Sequence, residues 1–315
     1  MASPLQPLYS KIKDRQIRLC DVAPRISDEP ISCKLRTVSL DENIEYDALS
    51  YVWGDANDRQ VIWVNGLKLH VGRNLATALT FMRADKIRTM WVDAICINQD
   101  DIPERNSQVP LMREIYSKAT TTVVWLGASD QIYVPLTFAR PFLHDRGQMN
   151  HEDFISHISR RVGELDLAKL YPNIPPSVFG PMTEQRLDVA VATRIGDCFN
   201  HTSTEDPSNY WSRAWTAQEV AVSRNAILQS RDVTVSFKEV EEFSKYIWSA
   251  WADQDIVVKM GLRFYLTPPI SLGHPPEPLP TVLAEQRHRH ATNPRDKVSY
   301  EYIVSARRAL LCNPR

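Results

Sequence analysis

The sequence contains little glycine, and it lacks the glycine-rich motifs that bind phosphate groups. Only 10 of its 315 residues are glycine, and neither G-x-x-x-x-G-K-[ST] nor G-x-G-x-x-G occurs. Both motifs need glycine because a backbone without side chains can approach a phosphate closely. Their absence argues against a nucleotide site of the P-loop or Rossmann type.

Paired cysteines and long apolar runs are also missing. The five cysteines are scattered and form no C-x-x-C pair, which argues against a disulfide framework and against a zinc site. The H-x-H pair of His288 and His290 lies among arginines, which would repel a cation. No apolar run approaches the roughly 18 residues that a membrane span requires. We therefore predict no metal site, no membrane span and a reducing, intracellular setting.

The chain has no excess of charge of either sign, and its composition is that of a globular protein. Its formal net charge is −1, with 43% hydrophobic and 24% charged residues. A balanced charge gives no general attraction to nucleic acid, so we predict no nucleic-acid partner. The apolar content is sufficient for a packed core.

Alternating and apolar segments in the first half predict strands separated by helices. Two alternating runs in residues 15–40 predict an opening pair of strands, and Asn65–Gly66 predicts the turn of a hairpin. A helix is predicted to start at Asn74 as its N-cap, and another covers 104–119 with a start or kink at Pro110. Apolar strands are predicted at 46–52, 88–97 and 120–127.

This alternation of strand and helix is typical of an α/β fold with a doubly wound, mostly parallel sheet flanked by helices. In the second half we predict a large insertion at 147–208, a helix at 209–224, a further strand or hairpin, and a helix at 238–254. We assign residues 1–255 to one domain with a core at 44–230. Residues 256–315 are predicted to form a proline-rich linker and a helical extension packed on that domain.

Polar side chains follow two of the predicted strands. The first cluster contains Ser50, Tyr51, Trp53, Gly54 and Asp55, and the second includes Asp93 and Asn98. Ligands of doubly wound folds bind beyond the carboxyl ends of strands, where these residues fall. Taken alone, however, each cluster is more simply an ordinary solvated loop.

The predicted helix at 209–224 carries a carboxylate beside a tryptophan stripe. Trp211, Trp215 and Glu219 lie near one another at helical spacing. Burying a carboxylate is costly, so its placement requires a reason. A functional site and an ion pair with Arg213 or Arg224 both satisfy this requirement, and the residues alone leave both open.

Three blocks of the sequence resemble the fungal heterokaryon incompatibility (HET) domain. They are "YDALSYVWGD", "MWVDAICINQDDIPERNSQVPLMREIYSKATTTVVWLG" and "RAWTAQEVA". The resemblance covers residues 15–225 and extends more loosely to about 300. It implies a cytoplasmic protein that triggers programmed cell death when genetically different fungal cells fuse. It also implies activation by a partner, through self-association or a regulatory, receptor-type protein.

The order of the same blocks is similar to that of Toll/interleukin-1 receptor (TIR) domains, which implies a flavodoxin-like core. In enzymatic TIR domains a glutamate cleaves the nicotinamide glycosidic bond of NAD, and the matching residue is Glu219. The resemblance implies that NAD is a substrate and that no cofactor is needed. Tyr51, Trp53 and Trp215 would hold a flat ring of NAD, while Ser50 and Asp93 would orient the ribose or the carboxamide. The alternatives are a non-enzymatic module that signals through partner binding and a nucleotide- or metabolite-binding protein that hydrolyses nothing.

Overall fold

The computed structural model describes most of the first 140 residues and a short segment near residue 230. The described residues are 8–25, 29–130, 132–133, 136–137, 140, 210, 219–220 and 222–240. They fall into two compact units. The first holds those within 8–128, together with 210 and 219–232, and the second holds those within 129–140 and 233–240.

The strands and helices of the described residues alternate along the chain. The strands are β1 (Gln16–Val22), β2 (Ser32–Ser39), β3 (Asp47–Ser50), β4 (Arg59–Val64), β5 (Leu67–Gly72), β6 (Arg88–Trp91), β7 (Thr121–Trp125), β8 (Ala226–Ser230) and, in the second unit, β9 (Val233–Ser236). The helices are α1 (Arg73–Met82), α2 (Asp93–Cys96), α3 (Ile102–Gln108) and α4 (Met112–Lys118).

The first unit is built on one mixed sheet with the strand order β5-β4-β2-β1-β6-β3-β7-β8. The pairs β6/β3, β3/β7 and β7/β8 are parallel, as is the short pair β2/β4. The pairs β1/β2, β1/β6 and β4/β5 are antiparallel. The predicted α/β class is therefore confirmed, and the sheet combines a parallel core with antiparallel additions.

The parallel core is apolar because both of its faces are covered. Ala48, Leu49, Val123 and Val124 are all fully buried on consecutive positions of β3 and β7. Parallel strands covered on both faces have such continuous apolar runs instead of alternating ones. This burial fixes the position of the next residue in β3, Ser50.

The predicted opening strand pair and hairpin are confirmed. Strands β1 and β2 pair along their whole length, from Gln16 opposite Ser39 to Val22 opposite Cys33. Asn65 and Gly66 both have positive φ, 51° and 78°, between β4 and β5. A two-residue turn with positive φ at both positions matches the right-handed twist of paired strands, which explains the Asn-Gly sequence.

Two local predictions are wrong. The N-cap of α1 is Gly72 rather than Asn74, whose side chain instead donates to the Val52 carbonyl and accepts from the Trp125 indole. The strand predicted at 88–97 ends at Trp91, and Asp93 opens a short helix, where its carboxylate accepts from the backbone N–H of Ala94. In both cases a local side-chain bond or a tertiary contact overrides the sequence pattern.

The predicted interruption at Pro110 is confirmed. A 3₁₀ turn, Val109–Leu111, separates α3 from α4, because proline cannot donate the backbone hydrogen bond of a continuous helix. The insertion at 147–208, the helix at 238–254 beyond residue 240, and the extension at 256–315 lie outside the described residues.

Candidate functional site

The centre of the site is a hydrogen bond between Ser50, at the end of β3, and Glu219, which is 169 residues away in the chain. The Ser50 hydroxyl donates to Oε2 of Glu219. Ser50 is fully buried and Glu219 is only 8% exposed. The fold therefore places a carboxylate at the carboxyl end of the parallel core.

The register of the sheet explains how Glu219 reaches Ser50. Ala48 lies opposite Thr122, whose hydroxyl is 2.6 Å from that of Ser223. Glu219 lies one helical turn before Ser223, and its carbonyl accepts from the Ser223 hydroxyl at 2.6 Å. One helical turn advances about 5.4 Å and two strand residues about 6.6 Å, so Glu219 lies level with Ser50.

A tyrosine completes this buried cluster. The hydroxyl of Tyr210 lies 2.6 Å from Oγ of Ser50, and Tyr210 is itself buried. Three oxygen atoms from separate parts of the chain thus form a hydrogen-bonded row: Tyr210, Ser50 and Glu219.

Trp53 and Asp93 form a second pair, on the more accessible side of the strand ends. The indole Nε1 of Trp53 donates to Oδ2 of Asp93 at 2.8 Å. Trp53 is 42% exposed, which is unusual for the largest aromatic side chain. The hydrogen bond holds this indole in place at the surface, where a flat molecule could stack on it.

The segment that carries Trp53 is held close to the start of α1. The side-chain amide of Asn74 donates to the backbone carbonyl of Val52 at 2.7 Å. A Cβ added to Gly72 would lie only 2.7 Å from the carbonyl oxygen of Trp53. Residue 72 is therefore glycine because the two backbones approach too closely for a side chain.

Tyr116 on α4 is bonded to the backbone of β3, next to Ser50. Its hydroxyl donates to the Leu49 carbonyl at 3.0 Å, and its ring meets that of Trp91 edge-on at 5.4 Å. Burial raises the pKa of Tyr116 well above its ordinary value, and the nearby acidic groups of Glu219 and Asp93 raise it further. Both carboxyl groups are thus electrostatically close to one buried phenol.

The remaining predicted residues take other positions. Tyr51 is buried beside Ser50 in the sequence, and Gly54 has positive φ in the loop after β3. Asp55 accepts from the N–H of Asn57 within that loop. Asn98 accepts from the N–H of Asp100 in the turn before α3. Trp215, with the other tryptophan of its predicted stripe, lies outside the described residues.

A buried ion pair fixes the segment that follows β6. Arg18 lies 2.6 Å from Oε1 of Glu104 and donates to the Cys96 carbonyl at 3.0 Å. The same Glu104 oxygen accepts from the N–H of Asn98 at 2.7 Å, and Gln99 donates to the carbonyl of Asp93. These bonds hold α2, and therefore Asp93, against β1.

The sequence pattern does not indicate Tyr210, Asn74 or Gly72 as site residues. Tyr210 lies nine residues before Glu219, a spacing that does not place two residues on the same side of a helix. Asn74 carries an ordinary helix-start signal, and Gly72 carries no signal of its own in the sequence. Only the polar character of Asn74 so close to the buried strand ends could have indicated its role.

Within the described ranges, no group of three or more His, Cys, Asp or Glu side chains could hold a metal ion. No described helix is both long enough and apolar enough to cross a membrane.

Comparison with known proteins gives two matches. The family model described as "Heterokaryon incompatibility protein (HET)" matches residues 46–219, which includes Ser50, Trp53, Asp93, Tyr210 and Glu219. "Heterokaryon incompatibility protein 6, OR allele" of Neurospora crassa is 29% identical over 252 residues, which is 73% of this chain. The chain spans 35% of the length of that protein. No solved structure matches.

Proposed function

The chain belongs to the heterokaryon incompatibility (HET) family, and from this premise we propose that it acts in heterokaryon incompatibility by cleaving NAD with Glu219. The reaction breaks the bond between C1′ of the ribose and the nicotinamide nitrogen. Nicotinamide leaves with the electron pair, and water adds to C1′ and loses a proton. The products are ADP-ribose, nicotinamide and a proton.

The observation that carries this proposal is the buried hydrogen bond between Ser50 and Glu219 at the carboxyl end of β3. Loss of nicotinamide develops positive charge on the ribose, which a fixed carboxylate stabilises as it does in glycosidases. A carboxylate acts more strongly on a nearby charge when water is largely excluded. Glu219, at 8% exposure, meets this condition.

The strand order supports a TIR-like, flavodoxin-like core. Along the chain, the parallel strands come as β3, β6, β7 and β8, and their order in the sheet is β6-β3-β7-β8. Second, first, third, fourth is the order of flavodoxin-like sheets, whose ligands bind where the order switches between the first and third strands. Ser50 ends the first of these strands.

Trp53 and Asp93 supply the means of holding the dinucleotide. The exposed indole offers a face on which nicotinamide or adenine can stack. Asp93, which fixes that indole, carries a carboxylate oxygen suited to accept from a carboxamide or a ribose hydroxyl. The predicted roles of Tyr51, Gly54, Asp55, Asn98 and Trp215 remain part of the proposal.

The deciding experiment measures NAD consumption by the purified protein at high concentration, because TIR-like enzymes act as assemblies. We expect Glu219→Gln and Glu219→Ala to reduce the rate at least about a hundredfold, since the charge that stabilises the transition state is lost. Glu114→Gln, which removes a carboxylate from α4 in the same unit, is the matched control. NAD consumption by Glu219→Gln at the wild-type rate would show that Glu219 is not the catalyst.

One observation favours a second, non-enzymatic function. The Glu219 carboxylate is hydrogen-bonded and mostly buried, as expected of a carboxylate that stabilises a fold for partner binding. In that case cell death would follow from self-association or from a regulatory protein. Expression in fungal cells separates the two: a folded Glu219→Gln protein that kills as efficiently as wild type, with cellular NAD unchanged, supports the second function.

A further inference from the structure

The row of oxygen atoms from Tyr210 through Ser50 to Glu219 has a defined direction. A serine hydroxyl has one proton to donate, and Ser50 donates it to Oε2 of Glu219. Ser50 can therefore only accept from Tyr210, whose hydroxyl is 2.6 Å away. The phenol is the donor, the serine is the intermediate, and the carboxylate is the final acceptor.

We infer that Tyr210 and Ser50 are positioning residues that form a hydroxyl relay. The relay holds the Glu219 side chain in place and favours its carboxylate form for cleavage of a nicotinamide glycosidic bond. The catalytic part of this inference rests on the proposed function. In this row Tyr210 acts on Glu219 through Ser50. Ser50, with its proton already donated, serves the carboxylate rather than the ribose.

The fold holds two of the three members of the relay, Ser50 and Glu219. Ser50 lies in β3, opposite Val124 of β7. The backbone of Glu219 is tied through Ser223 to Thr122, on the same strand as Val124. The position of Glu219 relative to Ser50 is therefore set by β7, which contacts both β3 and the Glu219 segment.

Burial makes the relay strong. Tyr210 is 4% exposed and Ser50 is fully buried. In such surroundings hydrogen bonds polarise one another, and an ionised acceptor gains most from them. Donation to the charged form of a carboxyl group favours that form, so the relay acts in favour of the carboxylate form of Glu219.

Tyr210→Phe removes one hydroxyl and keeps the ring. For NAD cleavage we expect kcat to fall about 3- to 10-fold with KM changed less than about twofold, because the relay acts on the transition state and not on binding. The acid limb of the pH–rate profile should shift to higher pH. Ser50→Ala should give larger effects in the same directions, while Ser50→Thr, which keeps the hydroxyl, should restore most of the rate.

Tyr46→Phe is the matched control. Tyr46 is as buried as Tyr210, and its hydroxyl donates at 2.7 Å to the Ile115 carbonyl, in the same unit. Removing that hydroxyl costs a similar buried hydrogen bond without affecting the row at Glu219. Tyr46→Phe should therefore leave the pH–rate profile unchanged.

A measurement independent of catalysis keeps the relay separable from the proposed function. Each protein is labelled with isotopic glutamate, and its infrared spectrum is recorded across a pH series. Subtracting the spectrum of the matching Glu219→Gln protein isolates the Glu219 carboxylate band. We expect its titration midpoint to rise by about 0.5–1 pH unit in Tyr210→Phe, by more in Ser50→Ala, and not at all in Tyr46→Phe. If these shifts occur in a protein that does not consume NAD, the relay is supported and the proposed NAD cleavage is rejected.

Equal midpoints in Tyr210→Phe and Tyr46→Phe would overturn the relay, even in an active enzyme. Should Tyr210→Phe fail to fold, Ser50→Thr and Ser50→Ala decide the question. A midpoint that is the same with and without the serine hydroxyl overturns the inference, and a higher midpoint in the alanine variant supports it.

Discussion

At the scale of single residues, the site contains a buried cluster of side chains that are hydrogen-bonded to one another and one side chain, Trp53, that is exposed to solvent. Ser50, Tyr210 and Glu219 satisfy each other inside the core. Trp53 is fixed by Asp93 yet remains 42% exposed. An aromatic ring held in place without being covered is preorganised for stacking, because little side-chain entropy is lost when a ligand binds.

The exposed indole gives a prediction about binding. If NAD is the substrate, Trp53→Ala should raise KM roughly tenfold and change kcat much less, since stacking of a base on an aromatic side chain is worth about 1–3 kcal/mol. Steady-state kinetics over a wide NAD range measure both constants. Trp63→Ala removes a partly exposed indole from the β4–β5 hairpin and should leave KM unchanged. A Trp53→Ala protein with wild-type KM would place the dinucleotide elsewhere.

The sequence predicts some of these residues and not others for a physical reason. Ser50 and Asp93 follow apolar segments, and polar residues after buried strands fall at the ligand-binding edge of an α/β sheet. Glu219 is indicated by its apolar neighbours. The bond from Tyr210 to Ser50 joins residues 160 apart, and no local pattern specifies which distant hydroxyl a strand end will meet.

At the scale of elements, the approach of β5 and α1 to the loop after β3 determines where Trp53 lies. Gly72→Ala would place a Cβ 2.7 Å from the Trp53 carbonyl oxygen, a backbone atom that cannot move away by itself. We expect a loss of about 1–3 kcal/mol in the free energy of unfolding, measured by urea denaturation.

The control for this prediction lies in the same hairpin. Gly66 has positive φ, but a Cβ there meets nothing within 4 Å. Asparagine tolerates that conformation, so Gly66→Asn should cost much less than Gly72→Ala. Equal stability of the two variants would mean that the contact between Gly72 and Trp53 is not a constraint in solution.

The ion pair between Arg18 and Glu104 gives a second prediction about elements, because it ties α3 to β1. Both side chains are at most 8% exposed. Arg18→Met or Glu104→Gln alone should cost about 3–5 kcal/mol in unfolding free energy, since each disrupts a buried pair. The double variant Arg18→Met with Glu104→Gln should cost less than the sum of the two single costs, because neither charge is then buried. Strict additivity in urea denaturation would contradict this.

Element prediction succeeds where the signal is local. The turn at Asn65–Gly66 and the break at Pro110 follow from the backbone preferences of single residues. The pairing of β1 with β6 does not follow from such local preferences. An alternating strand can join any free edge of a sheet, provided that the apolar face of the strand is then covered. The mixed character of the sheet is therefore a property of assembly that the sequence pattern does not reveal.

At the scale of the whole molecule, the packed core buries groups that ionise only at high pH. Hydrogen bonding to Cys33 and burial raise the pKa of the Cys20 thiol, and burial raises the pKa of the Cys96 thiol. Burial likewise raises the pKa values of Tyr9, Tyr46 and Tyr116. The native protein thus binds more protons than the unfolded chain in alkaline solution.

This difference in proton binding predicts an alkaline loss of stability. A group whose native pKa is raised stabilises the fold fully below its unfolded pKa, and that stabilisation is lost as pH rises toward the native pKa. For thiols the loss begins near pH 8.5, at up to about 1.4 kcal/mol per pH unit for each group, and for tyrosines near pH 10. We expect the urea midpoint to fall steadily from pH 8 to pH 10.5.

Site-resolved labelling separates the thiols from other alkaline effects. Iodoacetamide reacts with thiolates, so Cys20 and Cys96 should stay unlabelled at pH 9 in the folded protein and react once urea unfolds it. Mass spectrometry of the two tryptic peptides measures each site. Labelling of either cysteine in the folded protein, at the rate of an unstructured peptide, would mean that the sheet opens locally or that the thiol is ionised in place. A fall in stability at pH 9 with both sites protected would be consistent with thiol burial rather than local opening.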